Sequence, residues 1–244
     1  MNGRQGFDSG GVPVHREKNR YAGTEILRLL EEARNYNAHI VRLIERNLEG
    51  ARRLLDFGAG AGTFAKLLRA RGYEIICVEP DLSLAASLKR DGFEAHPDFS
   101  AFENGSLDSA FSLNVLEHIA DDGRALGELA ARIAKGGRIF LYVPAFPWLW
   151  TSLDDKVGHK RRYTKRALTE LAWSQGLEVT ATGYADCLGV GAAVLFKLFG
   201  NDEGRLSSAG VRAYDRFLTP LSTVLDRVFH SIAGKNVWLV CRKR

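Results

Sequence analysis

Between residues 53 and 143, short apolar runs alternate with amphipathic segments whose apolar residues have helical spacing. A run of about four to eight apolar residues is typical of a buried strand, whereas apolar residues spaced by three and four indicate a helix. Because parallel strands must be joined by crossovers, this order predicts a mostly parallel sheet with helices on both faces. The predicted fold class is therefore α/β.

The predicted strands in this part of the chain cover residues 53–56, 74–79, 93–96, 110–115 and 138–143. The helices between them cover residues 63–70 and 82–90, and a further helix leads up to Gly136-Gly137. Asp81 and Asp122 are expected as N-caps, since a short acidic side chain accepts hydrogen bonds from the free amides of a first helical turn. A helix that begins after Thr24 precedes the first strand.

The C-terminal part follows a different pattern. A helix from Thr164 to Gly176, an alternating strand over 177–184 and a last strand over 236–241 are predicted. Between these strands, an insert over about 186–234 carries apolar residues at helical spacing. We interpret its stretch from Val211 to Ile232 as two helices separated at Thr219-Pro220, because Pro favours the first turn of a helix. This insert is predicted to form a substrate lid, a dimer face or a membrane-surface patch, with packing against the core as the plainer alternative.

Length and composition limit the classes of protein. The chain has 244 residues, of which 45% are hydrophobic and 26% charged, values that exclude general disorder. We expect residues 1–20 to be flexible and residues 21–244 to form one domain. The net charge of +5 permits an anionic partner without requiring nucleic acid. The three scattered cysteines, with no long apolar run and no signal-like N-terminus, favour a cytoplasmic protein.

The segment DFGAGAGTF joins the first strand to the next helix through a glycine-rich loop, a geometry that holds cofactors. The dinucleotide pattern G-x-G-x-x-G fits at Gly58 and Gly60 but fails at Thr63. Asp56 would repel a diphosphate and attract a cation, such as S-adenosylmethionine (SAM). Glu79, at the end of the second strand, is suited to bind ribose hydroxyls in either class of site.

Four segments resemble the successive motifs of class I SAM-dependent methyltransferases: DFGAGAGTF, CVEPD, SLNVLEHI and KGGRIFLYVP. The resemblance implies a Rossmann-like, seven-stranded sheet with an antiparallel last strand, SAM as cofactor and S-adenosylhomocysteine as product. The residues that it implies around SAM are Asp56, Gly58, Ala59, Gly60 and Gly62 at the methionine moiety, Glu79 and Pro80 at the ribose, Asp98 and Phe99 at the adenine, and Asn114 and Val115 near the sulfonium.

The segment PAFPWLWTSLDDKVGHKRRYT resembles a subgroup of small-molecule and lipid-pathway methyltransferases. Aromatic and Arg side chains suit an acceptor with an apolar body and an anionic group. The candidate acceptor-binding residues are Trp148, Trp150, Arg161, Arg162 and Tyr163. His118 and His159 are candidate catalytic bases, with loop orientation as the alternative role of His118. The spacing of Asp154, Asp155 and His159 does not support a metal site, so none is predicted.

The predicted function is methyl transfer from SAM to a small-molecule or lipid-like acceptor, which can carry an anionic group. Three alternatives remain: an RNA or DNA methyltransferase, an NAD(P)-dependent oxidoreductase, and a non-catalytic SAM-binding or membrane-surface protein. No nucleic-acid partner is expected, because the positive charge is spread thinly and no nucleic-acid module is recognisable. Peripheral membrane contact is compatible with the cationic C-terminal part.

Overall fold

The computed structural model describes residues 31–200 and 206–244. Within them lie the strands β1 Arg53–Phe57, β2 Glu74–Val78, β3 Glu94–His96, β4 Leu107–Leu113, β5 Ile133–Pro144, β6 Leu177–Ala185 and β7 Asn236–Lys243. They form one sheet in the order β3-β2-β1-β4-β5-β7-β6. Strands β1 to β5 pair in parallel, and β7 runs antiparallel between β5 and β6. The predicted α/β fold with its antiparallel last strand is confirmed.

The helices flank this sheet. They are α1 Arg34–Asn47, α2 Thr63–Arg69, α3 Leu82–Arg90, α4 Asp122–Arg132, α5 Ser152–Val157, α6 Lys165–Ser174, α7 Cys187–Phe199, α8 Ser208–Ala213 and α9 Thr219–Phe229. Short 3-10 turns cover Phe99–Ala101, Leu116–His118 and Pro147–Leu149. The predicted helix after Thr24 is observed from Arg34 onwards and is interrupted at Glu32 and Ala33. Its part before residue 31, like residues 1–20, lies outside the described residues.

Both faces of the sheet are buried. Successive strand residues point to opposite faces, so Leu54 and Leu55 enter two different apolar clusters. The cluster of Leu54 includes Ile40 and Ile44 of α1, and that of Leu55 includes Leu126 and other residues of α4. This double coverage explains why the central strands read as continuous apolar runs rather than alternating ones.

The predicted helix cap is observed at Asp81 but not at Asp122. Asp81 accepts from the amides of Ser83 and Leu84 and caps α3, as predicted. The expectation that Asp122 caps α4 is wrong by one residue, because Asp121 accepts from the amide of Arg124. Asp122 is instead the first helical residue, and its carboxylate accepts a hydrogen bond from the Tyr163 hydroxyl at 2.7 Å.

The bounds of two strands, β4 and β5, also differ from the prediction. Strand β4 begins at Leu107 rather than residue 110, since its first residues include Asp108 and Ser109 and so lack a continuous apolar signal. It ends at Leu113 rather than 115, because Asn114 has a positive φ of 54° that takes the chain out of the extended conformation. Strand β5 begins five residues early, at Ile133, and runs through Gly136-Gly137.

The insert does not break at Thr219-Pro220. A π-helical turn, Tyr214–Leu218, joins α8 to α9, and Leu218 and Thr219 keep right-handed helical backbone angles. Thr219 is therefore not an N-cap, and the predicted separation of two helices is wrong. Pro220 has no amide to donate within the helix, and a π turn is one of the ways in which a helix accommodates such a defect.

Two buried carboxylates attach the insert to the rest of the domain. Asp215 accepts hydrogen bonds from the backbone amides of Asn35 at 3.1 Å and Tyr36 at 2.9 Å, and so caps α1 from a distant part of the chain. Asp226 does the same for α7, accepting from the amides of Asp186 and Cys187. Across the described residues, none of the helices is long and apolar enough to span a bilayer.

Candidate active site

The predicted cofactor residues meet at one edge of the sheet. The carboxyl ends of β1, β2 and β4 lie side by side, because these strands are parallel neighbours. In open α/β sheets this edge forms the crevice in which ligands bind. The glycine loop follows β1, Glu79 follows β2, and Asn114 follows β4.

The glycine loop needs its glycines. Gly58, Gly60 and Gly62 have φ values of 80°, 56° and 78°, a region that residues with a Cβ rarely adopt. A Cβ on Gly58 would also lie 2.3 Å from Cγ2 of Val115. The loop is thus packed directly against the segment that leaves β4, and the two predicted cofactor segments adjoin each other.

Two carboxyl groups line the crevice. Asp56 and Glu79 are 3% and 7% exposed. Burial raises the pKa of Asp56 well above its usual value, and the nearby Glu79 raises it further. Burial also raises the pKa of Glu79, although the amides of Asp81 and Gly60 act in the opposite direction. Such a pair of desolvated acids favours a cationic ligand.

Glu79 already has two backbone partners. Its oxygens accept from the amide of Gly60 at 2.8 Å and from the amide of Asp81 at 2.9 Å. These bonds fix the carboxylate at the end of β2 and tie it to the glycine loop. Since an ionised carboxylate offers about four lone-pair positions, Glu79 keeps acceptor capacity for ligand hydroxyls.

The remaining cofactor candidates differ in exposure. Pro80 and Asp98 are exposed, and the Asp98 carboxylate accepts from the amide of Ser100 at 2.8 Å. Ala59 lies partly buried in the loop. Phe99 is buried, with its ring centroid 5.1 Å from that of Phe57, so its side chain belongs to the core.

Asn114 turns the chain sharply at the end of β4. Its φ of 54° is uncommon for a residue other than glycine, and its amide donates to the carbonyl of Tyr142 at 2.8 Å. Strained backbone of this kind concentrates at functional sites. The turn brings Val115 against Gly58 and starts the 3-10 turn that carries Glu117 and His118.

His118 and His159 lie together beyond β4. Their rings are 4.7 Å apart between centroids and meet edge to face. His118 is exposed as a residue, yet desolvation of its ring, together with the adjacent His159, lowers its pKa to about 4. Both predicted catalytic candidates are thus brought to one place, next to the buried side chain of Glu117.

Asp154 organises the segment that carries His159. Its carboxylate accepts from the Thr151 amide and hydroxyl, from Nδ1 of His159 at 2.7 Å and from two nitrogens of Arg162 at 2.8 Å. Burial opposes ionisation of Asp154, yet the hydrogen bonds from His159 and Arg162 hold its pKa well below the usual value.

Arg161, Arg162 and Tyr163 have protein partners rather than free donors. The Arg162 side chain is 8% exposed, binds Asp154 at both oxygens and donates to the carbonyl of Ala145. Arg161 binds Asp122, and the Tyr163 hydroxyl donates to the same carboxylate. These contacts fix the segment that follows β5. Each of the three side chains has a partner within the protein, independent of any methyl acceptor.

The two tryptophans are the more accessible part of this segment. Trp148 is 55% exposed and lies 5.8 Å, centroid to centroid, from Phe146, which stacks on Tyr184. Trp150 donates from its indole nitrogen to Asp155 at 3.0 Å. An aromatic surface therefore extends from the end of β5 into solvent.

A family model described as a methyltransferase domain matches residues 17–182 of this chain, which is more than half of its length. The chain belongs to this family. Family and fold together confirm the resemblance to class I SAM-dependent methyltransferases and SAM as the cofactor.

Curated relatives of this methyltransferase domain cover it in part. An uncharacterized methyltransferase of Mycobacterium sp. (strain KMS) is 33% identical over 129 residues, covering 48% of this chain and 51% of the relative. A ubiquinone biosynthesis O-methyltransferase of Nitrobacter winogradskyi is 33% identical over 95 residues, covering 35% of this chain and 36% of the relative. The matched region thus spans about half or less of these curated relatives.

Solved structures share the fold over nearly the whole chain. A SAM-dependent methyltransferase of Thermotoga maritima, described as a possible histamine N-methyltransferase, has a TM-score of 0.64 and 18% identity, covering 93% of this chain and 97% of its own. A geranyl diphosphate C-methyltransferase of Streptomyces coelicolor has a TM-score of 0.59 and 13% identity, covering 96% and 85%.

Sequence reasoning missed two residues of this methyltransferase site. Glu117, which is fully buried, was not singled out, although it directly precedes His118. Asp154 was considered only as a metal ligand, whereas it holds His159 and Arg162. The signal for Asp154 is local: it stands three residues after Thr151, the spacing of a capping box, and five before His159.

Proposed function

We propose that this chain transfers the methyl group of SAM to a small-molecule or lipid-like acceptor at the carboxyl edge of its sheet. The observation that carries the proposal is the pair of buried carboxyls, Asp56 and Glu79, beside three left-handed glycines. A ligand with an ammonium group and ribose hydroxyls satisfies such a pair, whereas a diphosphate is repelled by it. During the reaction the S–CH3 bond breaks as the bond to the acceptor forms, and neutral S-adenosylhomocysteine leaves.

We assign the cofactor contacts by their place along the crevice. Asp56 and the glycine loop hold the methionine end, and Glu79 binds the ribose through its remaining lone pairs. Asp98, exposed beyond β3, is assigned to the adenine. Asn114 and Val115 then border the sulfonium, because Val115 touches the loop at Gly58.

The acceptor approaches from the side of His118 and His159. An acceptor hydroxyl must lose its proton when the methyl group is added, and a neutral imidazole is suited to accept it. His159 has the orientation of such a base, since Nδ1 is bound to Asp154 and Nε2 points away from that carboxylate. A carbon or nitrogen acceptor requires alignment with the methyl group and exclusion of water rather than a base.

An apolar surface on the insert supports a lipid-like acceptor and contact with a membrane. Phe217, Leu221, Val224 and Val228 are all more than half exposed, and they follow one another at spacings of four, three and four. We call these four residues the apolar stripe. Such spacing places them on one side of a helix, here the side that faces solvent.

The charges around the apolar stripe favour an anionic surface. The only acids between residues 206 and 232 are Asp215 and Asp226, and both are buried. Arg216 and Arg227 are exposed and border the stripe. An exposed helix with an apolar side and a basic border is typical of segments that lie on anionic bilayers. We therefore assign this surface to membrane contact.

A cavity next to α9 provides room for an anionic group. It has a volume of about 670 Å³, and its lining includes Arg42 and Arg46 of α1 together with Arg227 and His230. Arg is the side chain that best binds carboxylate or phosphate oxygens. Two of the similar proteins have names that fit this chemistry, the ubiquinone biosynthesis O-methyltransferase and the geranyl diphosphate C-methyltransferase.

The first experiment is mass spectrometry of the purified protein under native conditions, in search of a retained adenosyl ligand, followed by calorimetric titration with SAM, S-adenosylhomocysteine and NADH. We expect SAM and S-adenosylhomocysteine to bind and NADH not to bind. Tight binding of NADH without binding of SAM would contradict the proposal and favour an oxidoreductase.

A screen of acceptors then follows the release of S-adenosylhomocysteine. Phenols, isoprenoid alcohols and anionic lipids are the compounds to test first, with polynucleotides as the comparison. Turnover on polynucleotides with steep salt dependence would identify a nucleic-acid methyltransferase instead. SAM binding without turnover on any of these acceptors favours the non-catalytic alternative.

A further inference from the structure

We propose that Glu117, His118 and His159 form a binding site for one divalent transition-metal ion. Glu117 is the first observation. Its side chain is 0% exposed, and neither carboxylate oxygen has a hydrogen-bond partner among the described residues. A buried carboxylate left in this state is strongly unfavourable unless it is neutralised, paired or bound to a metal.

The two histidines are oriented as metal ligands usually are. Nδ1 of His159 lies 2.7 Å from Oδ1 of Asp154, which leaves Nε2 free on the side of Glu117. The ring of His118 is bound to the backbone of Gly158 through one nitrogen. A ligating imidazole commonly donates its other N–H to a carboxylate or a carbonyl in this way, which fixes both tautomer and ring direction.

The donor atoms are close enough for one ion. One atom from each of the three side chains lies within 4.8 Å of the other two, and Nε2 of His159 is 3.8 Å from Oε1 of Glu117. With metal–ligand distances of about 2.0–2.2 Å, two donors of one ion are separated by at most about 4.4 Å. Small side-chain rotations therefore suffice to bring all three donors into range.

The donor set indicates the kind of metal. Two imidazoles and one carboxylate suit Zn²⁺, Fe²⁺, Co²⁺ and Mn²⁺ better than Mg²⁺, which prefers oxygen ligands. Arg162 is the cation that acts on Glu117, and Asp154 holds it at both oxygens, which offsets its charge, while Lys160 acts on His118. Three protein ligands leave one position of a four-coordinate ion for a further ligand, as in catalytic zinc sites.

The open position gives the ion a role that rests on the proposed function. An acceptor hydroxyl bound there loses its proton more easily, because a bound cation lowers the pKa of an oxygen ligand. With the ion bound, Nε2 of His159 is a ligand and no longer a base, so the ion takes over the role of promoting deprotonation. The proton goes to water, and the oxygen uses the electron pair to form the O–CH3 bond while the S–CH3 bond breaks. The substrate class is then an acceptor with a hydroxyl group.

The test uses the full chain after treatment with a chelator, titrated with Co²⁺ and followed by visible d–d absorption, with Zn²⁺ competition in a calorimeter. We expect one tight equivalent in the unchanged protein. Glu117→Gln and His118→Gln should each weaken binding by at least about tenfold. His96→Gln is the matched control, because His96 also pairs with a glutamate, Glu94, at 3.1 Å, but lies elsewhere on the sheet.

Two outcomes would overturn the site. The first is that the unchanged protein and both site variants bind Co²⁺ with equal affinity. A thiolate charge-transfer band, which places the ion on a cysteine such as the partly exposed Cys187, is the second. Because His118 is exposed, His118→Gln is expected to fold even where Glu117→Gln does not.

NMR provides a measurement that needs no variant. Zn²⁺ should shift the imidazole resonances of His118 and His159 and leave those of His96 unchanged, and no shift of the first two contradicts the proposal. SAM titration of the same samples separates this inference from the proposed function. Retained SAM binding in a variant that has lost Co²⁺ binding supports the metal site, whereas failure of SAM to bind the unchanged protein contradicts the proposed function alone.

Discussion

A Cβ atom on Gly58 would lie 2.3 Å from Cγ2 of Val115, so the loop after β1 and the turn after β4 fit together only because residue 58 is a glycine. Its φ of 80° adds a second requirement. This contact joins the proposed binding site of the methionine moiety to the proposed path of the acceptor. It also means that substitutions of Gly58 change packing and cofactor access together.

Gly58→Ala is therefore expected to reduce stability as well as SAM affinity. The left-handed backbone contributes about 1–2 kcal/mol of destabilisation, and the clash with Val115 adds to it. The double variant Gly58→Ala/Val115→Ala should regain the stability that is lost to the clash, but not the stability that is lost to the positive φ of residue 58. Urea denaturation of the single and double variants measures both parts. Equal stability of Gly58→Ala and the unchanged protein would contradict the contact.

Asp56→Asn should separate cofactor binding from folding. The buried carboxyl has a raised pKa and lies near Glu79, so removal of its charge should leave the melting temperature of the ligand-free protein equal or higher. SAM affinity should fall by at least about tenfold, because the ammonium group of SAM loses its negatively charged partner. Asp108→Asn, at an exposed position of β4, is the control for both measurements.

The same carboxyls predict how SAM binding depends on pH. The pKa values of Asp56 and Glu79 are raised in the folded, ligand-free protein, so their contribution to stability is full below the unfolded-state values and lost as pH rises through the folded-state values. Cationic SAM binds the ionised forms. Its affinity should therefore increase as pH rises above the usual pKa of a carboxyl group and through the raised values of this pair, with protons released on binding. Calorimetry in buffers of different ionisation enthalpy measures that proton release. An affinity that does not depend on pH, with no proton release, would contradict the coupling of SAM binding to ionisation of the two carboxyls.

Arg162→Ala should act mainly on folding. Its removal leaves Asp154 buried with one cationic partner fewer, and loss of one member of a buried pair typically destabilises by about 3–5 kcal/mol. Arg166→Ala removes an exposed pair with Glu170 and should leave the free energy of unfolding nearly unchanged, because solvent screens such a pair. Denaturant titration compares the two. A stable Arg162→Ala protein with a raised acceptor KM would contradict this folding role and support the prediction that Arg162 binds the acceptor.

Membrane contact is tested with the apolar stripe. Leu221→Asn/Val224→Asn changes two side chains that are 51% and 55% exposed, so the melting temperature should stay nearly constant. Co-sedimentation with vesicles that contain anionic phosphatidylglycerol should fall several-fold. Leu82→Asn, at a position 73% exposed on α3, is the matched control. Unchanged sedimentation of the double variant would contradict membrane contact through this surface.

The sheet was predictable because its signals are local. Buried strands such as β1 and β2 are continuous apolar runs, and Asp81 and Thr164 mark the starts of helices through bonds to residues two or three positions away. The glycine loop was predictable for the same reason, since left-handed turns select glycine.

The acceptor side was less predictable because its contacts join distant parts of the chain. Arg161 and Tyr163 both bind Asp122, some forty residues earlier, and only the fold shows that these side chains have partners. Glu117 and His159 likewise meet across 42 positions of the chain, so no spacing pattern marks them as one cluster. That Arg161, Arg162 and Tyr163 bind the acceptor stays a prediction, and the fold adds the internal partners that the sequence did not reveal.

The π turn at Tyr214–Leu218 has a consequence for how this domain can diversify. Each residue of a helix turns the chain by about 100°, so deletion of one residue here would rotate everything downstream by about that angle. The side chains of Val224 and Val228 would then point in a different direction. Asp226 would lose its hydrogen bonds to the first amides of α7. Length changes in this turn are thus disfavoured, and variation among descendants of this chain should proceed there by replacement of side chains.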